Sequence, residues 1–249
     1  VTTGGKIEIS IKNKDVRTKD YSFLPDHPRP GHQDMVMLKR TNGEADLRGG
    51  GMSSARLTAP IVAASAIITP LIEQLGININ AHVCSIGSID SKPLLECEPK
   101  WATDECKAIR CQDKTAALEM INVVERHRRN LDSVGSKVEV QISGMPLGIG
   151  EPWFDGLEPY LARAMMSIPA ARGVEFGRGF SVVQMTGSDH NDSWGGDKDH
   201  PKLIGNKPDG ALAGLSTGSD LYVKIAFKPP SSIAKEQMTL NVKTNQIAV

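Results

Sequence analysis

Residues 49–75 read GGGMSSARLTAPIVAASAIITPLIEQL: three glycines and two serines, an arginine, then a long apolar segment. From residue 58 or 59 to 75, small and branched apolar residues dominate nearly all round, the composition of a helix buried in an interior layer rather than one lying on a surface. Pro60 either occupies the first turn of that helix or kinks it. Just upstream, Gly49, Gly50 and Gly51 let backbone N–H groups turn toward a guest, and Ser53 and Ser54 stand where a helix leaves its first N–H groups unpaired. Arg56 supplies a countercharge. A pocket for a phosphorylated ligand fits this pattern, and so does a plain tight turn before a helix. Further upstream, RPGHQD at 29–34 places His32 on an approach that Pro25, Pro28 and Pro30 keep extended.

The 249 residues suffice for one sizeable core or two modest ones. Lys plus Arg and Asp plus Glu number 29 each, so no global field draws the chain to nucleic acid or to an anionic membrane. The 59–75 segment is broken by Pro60, Pro70, Ser65 and Thr69, short of the ~20 apolar residues a span requires, and a soluble protein is expected. The first residues show no basic segment followed by an apolar one, so no secretory signal is read. Cys84, Cys97, Cys106 and Cys111 form no CxxC pair, and His82 beside Cys84 lacks further ligands nearby in sequence. Reduced thiols of a cytoplasmic protein and no metal site are the expectation.

Residues 7–11 alternate like a half-buried strand, as do 81–89 and 137–144. Asp113 is placed to cap a helix over 114–132, and Asp155 to open another whose Leu157, Leu161, Ala164, Met165 and Ile168 share a face. Met165 and Met166 read as core. Residues 181–185, 221–227 and 238–242 have strand character, while 93–111 reads as irregular. The stretch 187–218, rich in glycine, aspartate and asparagine, is too long for a structureless connection and reads as functional or mobile. The glycine loop lacks GxGxxG spacing, so a dinucleotide-fold assignment would be forced.

Five blocks, RPGHQD, DLRGGGMSSARLTA, GEPWFDGLEPYLARAMMSIPAARGVEFGRGF, GSDHND and AFKPPSSI, resemble chorismate synthase in that family's order. The resemblance begins with TTGGKIEISIKNKDVRTKDY at 2–21 and covers essentially the whole chain. It implies an α+β fold, a sandwich with helices packed between antiparallel or mixed sheet layers, as a single domain over 1–249 assembled as a homotetramer. The activity it implies is a lyase reaction on a small molecule: anti-1,4-elimination of phosphate from 5-enolpyruvylshikimate 3-phosphate to give chorismate, with reduced FMN and no net redox change. NADPH enters as reductant if the protein reduces its own flavin. His32 matches the histidine thought to protonate the flavin, a task suited to an imidazole. Arg48, Ser54 and Arg56 are the implied substrate ligands. Ser53, Ser54, Ala55, Pro169, Ala170, Ala213, Lys228, Pro229, Pro230, Ser231 and Ser232 are the implied cofactor ligands. Lysine and serine side chains suit phosphate and carbonyl oxygens. His190 reads as a loop-stabilising residue rather than a catalyst.

The match has departures. Met52 stands for the family's usual arginine and Leu57 for its glutamate. Asp209 and Ala213 take positions where glycine is usual, and Pro230 one where threonine is common. A positive φ at Ala213 would cost roughly 1 kcal/mol. The family's first histidine segment and its Arg-His-Asp-Pro-Cys segment fall outside the 249 residues. The expectation is therefore either a portion of a longer polypeptide or a truncated, inactive flavin- or anion-binding module.

Overall fold

The computed structural model describes residues 4–14, 17–47, 51, 54–97, 101–205 and 209–249. Six α-helices are described: α1 (Asp34–Arg40), α2 (Thr58–Gln74), α3 (Asp104–Ile109), α4 (Lys114–Arg129), α5 (Leu157–Met166) and α6 (Gly187–His190). The strands are β1 (Asn78–Ile86), β2 (Ile89–Asp90), β3 (Ser136–Ser143), β4 (Ala171–Phe176), β5 (Trp194–Gly196), β6 (Pro201–Leu203), β7 (Ala211–Leu212), β8 (Leu215–Ser216), β9 (Leu221–Phe227), β10 (Thr239–Asn241) and β11 (Gln246–Ala248). Where one domain is expected, contacts resolve two compact units, residues 1–71 with 231–249, and residues 72–230. The C-terminal residues join the first unit because Val242 N–H bonds the Asp26 carbonyl and the Thr239 hydroxyl bonds that of Pro28.

The larger unit is built on a five-stranded sheet in the order β2-β1-β3-β9-β4, with every ladder antiparallel. Register sets its two faces. Leu221, Val223 and Ile225 of β9 stand beside Ile142, Val140 and Val138 of β3, and this apolar face carries the core. α5 covers one end through Leu157, Leu161 and Met165. α3 and α4 cover the other, burying Cys106, Ala117 and Met120 against Ile86. A bulge between Val83 and Ser85 interrupts the β1–β3 register. Because of it, Ile86 pairs with Ser136 and stays on the apolar face.

The opposite face is polar and carries a row of alternating charge. His82 pairs with Glu139, Glu139 with Lys224, and Lys224 with Glu175. His82 Nε2 lies 3.2 Å from Glu139 Oε2, which also accepts the Leu94 N–H at 2.6 Å. Lys224 Nζ stands 3.8 Å from the other oxygen. A second row follows, with Gln141 Nε2 donating to Asp220 Oδ2 at 2.7 Å and to the Tyr222 hydroxyl at 2.9 Å. Burial, then Asp220 and Glu139, push the Tyr222 hydroxyl up to about 12.

α4 begins where its cap predicts: Asp113 Oδ1 accepts N–H bonds from Thr115 (3.0 Å) and Ala116 (3.3 Å). β9 spans 221–227 as its alternation predicts. Four expectations are corrected. Residues 7–11 form no strand, and Ile7 and Ile11 are exposed, since no ladder partner stands beside them among the described residues. Residues 181–185 lie in a 3₁₀ turn over Gly179–Gln184 and the bend after it, entered from Gly177 and Gly179 at positive φ. The segment 93–111 holds a 3₁₀ turn (Leu94–Glu96) and α3.

The fourth concerns α2, expected to be interior. No residue of it is buried, and Ile61 (67%), Val62 (65%) and Leu71 (54%) are exposed, because no described element covers this face. The run Ala55–Gln74, with mean hydropathy 1.6, is also long and apolar enough to cross a bilayer by length and composition. The helix tolerates its polar residues by turning them inward: the Ser65 hydroxyl donates to the Val62 carbonyl and the Thr69 hydroxyl to that of Ser65, each at 2.8 Å.

Candidate functional site

In the smaller unit, the turn before α1 holds His32 by both ring nitrogens. Nδ1 is 3.1 Å from the Pro30 carbonyl, which can only accept, so Nδ1 carries the proton. Nε2 is 3.1 Å from the Ser232 hydroxyl and, in the neutral ring, accepts from it. The Ser231 hydroxyl donates to the Gly31 carbonyl at 3.0 Å, so the two serines straddle the turn. Asp34 is 1% exposed and locks the same turn from behind. Its carboxylate takes the Arg29 backbone N–H (3.0 Å), Nε (2.7 Å) and Nη2 (2.8 Å). Burial works to raise the Asp34 carboxyl, yet the Arg29 bonds and charge, with His32, hold it below its usual range. Arg29 in turn lies over the Tyr21 ring, 5.4 Å from its centroid. A lone pair at His32 Nε2, backed by a fixed turn, can accept a proton and return it.

Ser54 caps a 3₁₀ turn, its hydroxyl accepting the Arg56 N–H at 3.2 Å, and Ala55 opens that turn. The Arg56 guanidinium is exposed and donates to Asn13 Oδ1 at 3.2 Å. Arg48 and Ser53, and with them Met52, lie outside the described residues.

In the larger unit, the Lys228 N–H bonds the Ala170 carbonyl at 3.0 Å, joining Lys228 and Pro229 to Pro169 and Ala170 where β9 ends and β4 begins. Ala170 sits at φ 73, a left-handed conformation that costs an alanine roughly 1 kcal/mol or more. The Pro230 carbonyl accepts the Ser133 hydroxyl at 2.7 Å. Ala213 lies elsewhere, at the tip of the β7–β8 hairpin, and is also left-handed at φ 52. That hairpin precedes β9 and Lys228 follows it, so a seven-residue strand of roughly 20 Å separates the two groups.

The hairpin is tightly held. Gly214 O accepts the Leu157 N–H (2.8 Å), and a Cβ on Gly214 would lie 2.3 Å from the Glu151 carbonyl oxygen. A cavity of about 220 Å³ opens beside it, walled by His190, Asp209, Ala211, Leu212 and Thr217 among others. Sequence reasoning missed the partner of His190: its Nε2 is 2.9 Å from Asp209 Oδ2. The signal was present in Asp209, a carboxylate where glycine was expected, but nothing local links positions 190 and 209.

The family model for chorismate synthase matches residues 1–249. The chorismate synthase of Methanosarcina mazei is 40% identical over 247 residues, 99% of this chain and 67% of the relative. That of Roseiflexus castenholzii is 42% identical over 246 residues, 98% and 66%. That of Aeropyrum pernix is 38% identical over 255 residues, 98% and 64%. A crystal structure of chorismate synthase superposes with a TM-score of 0.66 at 28% identity, covering 78% of this chain and 62% of that one. The chain thus spans about two thirds of the length of the relatives it matches. The chain belongs to the chorismate synthase family.

Proposed function

We propose that this chain serves the elimination of phosphate from 5-enolpyruvylshikimate 3-phosphate to give chorismate, with reduced FMN as cofactor. The carbon–oxygen bond to phosphate breaks, a ring proton leaves, and a new carbon–carbon double bond forms, with no net redox change. The observation that carries the proposal is the bonding of His32, with Nδ1–H spent on Pro30 and Nε2 turned to the Ser232 hydroxyl. Such a ring moves a proton at one defined atom. Arg56 supplies fixed positive charge for a departing phosphate, with Arg48 and Ser54 as further ligands.

The larger unit fits FMN by its donor chemistry. Lys228 offers an ammonium to a phosphate, and Pro169, Pro229 and Pro230 offer rigid apolar edges without N–H groups. Lys228 and the Ala170 backbone would hold the phosphate end, while the Ala213 hairpin would flank the ring. Held there, reduced FMN would supply the electron density that eases the departure of phosphate. The protein's share is to hold and orient both molecules, keep water out and manage the proton at His32. Ser231 and Ser232 contribute by fixing the His32 turn. NADPH is the reductant if the protein reduces its own flavin.

A homotetramer in the cytoplasm completes the reading. The uncovered apolar faces of α2 and of Trp153 and Phe154 support burial in an assembly. Four free cysteines support a reducing compartment. Phosphate release from 5-enolpyruvylshikimate 3-phosphate, measured anaerobically with reduced FMN, tests the proposal. Turnover that disappears in His32→Ala supports it; FMN binding without turnover in the wild-type protein would leave the inactive-module reading standing instead.

A further inference from the structure

Thr186 starts the short helix α6 with a reciprocal cap, its side chain accepting the Asp189 N–H while Asp189 reaches back to the Thr186 N–H. The last residue of that helix, His190, extends Nε2 to within 2.9 Å of Asp209 Oδ2. The second oxygen of Asp209 accepts the Arg178 N–H at 3.2 Å. Gly177 makes room for it, since a Cβ there would lie 2.1 Å from Asp209 Oδ1. Asp209 is therefore wedged against one turn and tied to another. Its neighbour Gly210, at φ 69, has its Cα so close to Leu221 that a Cβ would sit 2.5 Å from the Leu221 Cα. The Gly210 carbonyl accepts the Thr217 N–H at 3.0 Å. These contacts close the base of the β7–β8 hairpin, and Ala213 is its tip. The Glu158 carboxyl, raised by burial and then by the Asp209 charge, places a second acid near the same base.

We infer that His190 is a positioning residue: by pinning Asp209 it fixes the base of the β7–β8 hairpin and thereby the placement of Ala213 against the cofactor ring. This rests on the proposed flavin role of the hairpin. The pin itself stands on geometry. A glycine at 209 would leave His190 without this partner and the 177–178 turn without its acceptor.

The test is a double-mutant cycle on the full chain, read by FMN titration through flavin fluorescence and by hydrogen exchange of the Thr217 amide. His190→Ala and Asp209→Asn should each weaken FMN by about tenfold, with the double variant no worse than either alone. The KM for FMN should rise while kcat at saturating FMN is retained, and His190→Gln, which keeps a donor, should recover much of the affinity. Thr217 exchange should accelerate in His190→Ala. Unchanged FMN affinity in the single variants overturns the inference, as do strictly additive effects in the double variant. Faster Thr217 exchange with unaltered affinity overturns the positioning role while leaving the pin in place. Absence of FMN binding in the wild-type protein overturns the flavin reading itself and this role with it.

Discussion

His32 and His82 are both held at two nitrogens, yet in opposite senses. His32 spends Nδ1–H on a carbonyl and presents the Nε2 lone pair to a hydroxyl. His82 accepts the Gln112 N–H at Nδ1 (3.3 Å) and gives Nε2–H to Glu139. One ring sits in a half-buried turn beside an exposed serine, and the other is 2% exposed between strands. A ring whose lone pair meets an exchangeable hydroxyl can shuttle a proton. A ring whose acceptor is consumed by backbone can only brace, so position in the hydrogen-bond network, rather than residue type, separates chemistry from scaffolding.

The sharpest way to break this contrast is to remove each ring in turn. His32→Ala should lower phosphate release by about 10²- to 10⁴-fold while the melting temperature barely moves. If activity survives, His32 moves no proton. On the other side, Glu139→Ala strands His82, the Leu94 N–H and Lys224, and should cost about 3–5 kcal/mol in urea unfolding. A loss under 1 kcal/mol would mean that the polar row does not brace the sheet.

Acid titration sharpens the same comparison. Burial tends to raise the Glu139 carboxyl, but the His82 and Leu94 bonds and the Lys224 charge outweigh it and hold it below its usual range. A depressed carboxyl contributes stability above its unfolded value, here 4.5, and loses it as pH falls through the folded one. Unfolding free energy should therefore decline from about pH 4.5 downward, and Glu139→Gln should flatten that decline. Asp34 contributes in the same direction, so Asp34→Asn should remove a separate share. The smallest effect is expected where neither histidine is touched. Ala213→Gly and Ala170→Gly relieve left-handed alanines, at φ 52 and 73, and should raise stability by about 0.5 kcal/mol or less, the relief being offset by added freedom in the unfolded chain. Urea midpoints would show it.

Local signals reported local structure well. Asp113 announced α4 because a cap and its helix are adjacent, and the alternation in 221–227 announced β9, which finds ladder partners on both sides in β3 and β4. Residues 7–11 alternate equally well, but a strand also needs a neighbouring ladder, which alternation does not encode. The apolar composition of 58–75 was legible while its exposure was not, since burial depends on what covers a helix. At the candidate site, RPGHQD singled out His32, whereas the hydroxyl at its Nε2 lies 200 residues downstream. The His190–Asp209 tie was hidden for the same reason, and Arg48 and Ser53 fall outside the described residues.

The extra residue between Val83 and Ser85 acts as a phase switch for β1. Ahead of it, even positions such as His82 look toward the charged row; beyond it, even Ile86 looks toward Met120 and Ala117 instead. If Cys84 instead took a regular place in the ladder, everything downstream would rotate half a turn, swinging Ile86 out among charges and Ser85 in among methyl groups. A sheet that is oily on one side and ionic on the other thus depends on a single irregular step to keep both sides in frame.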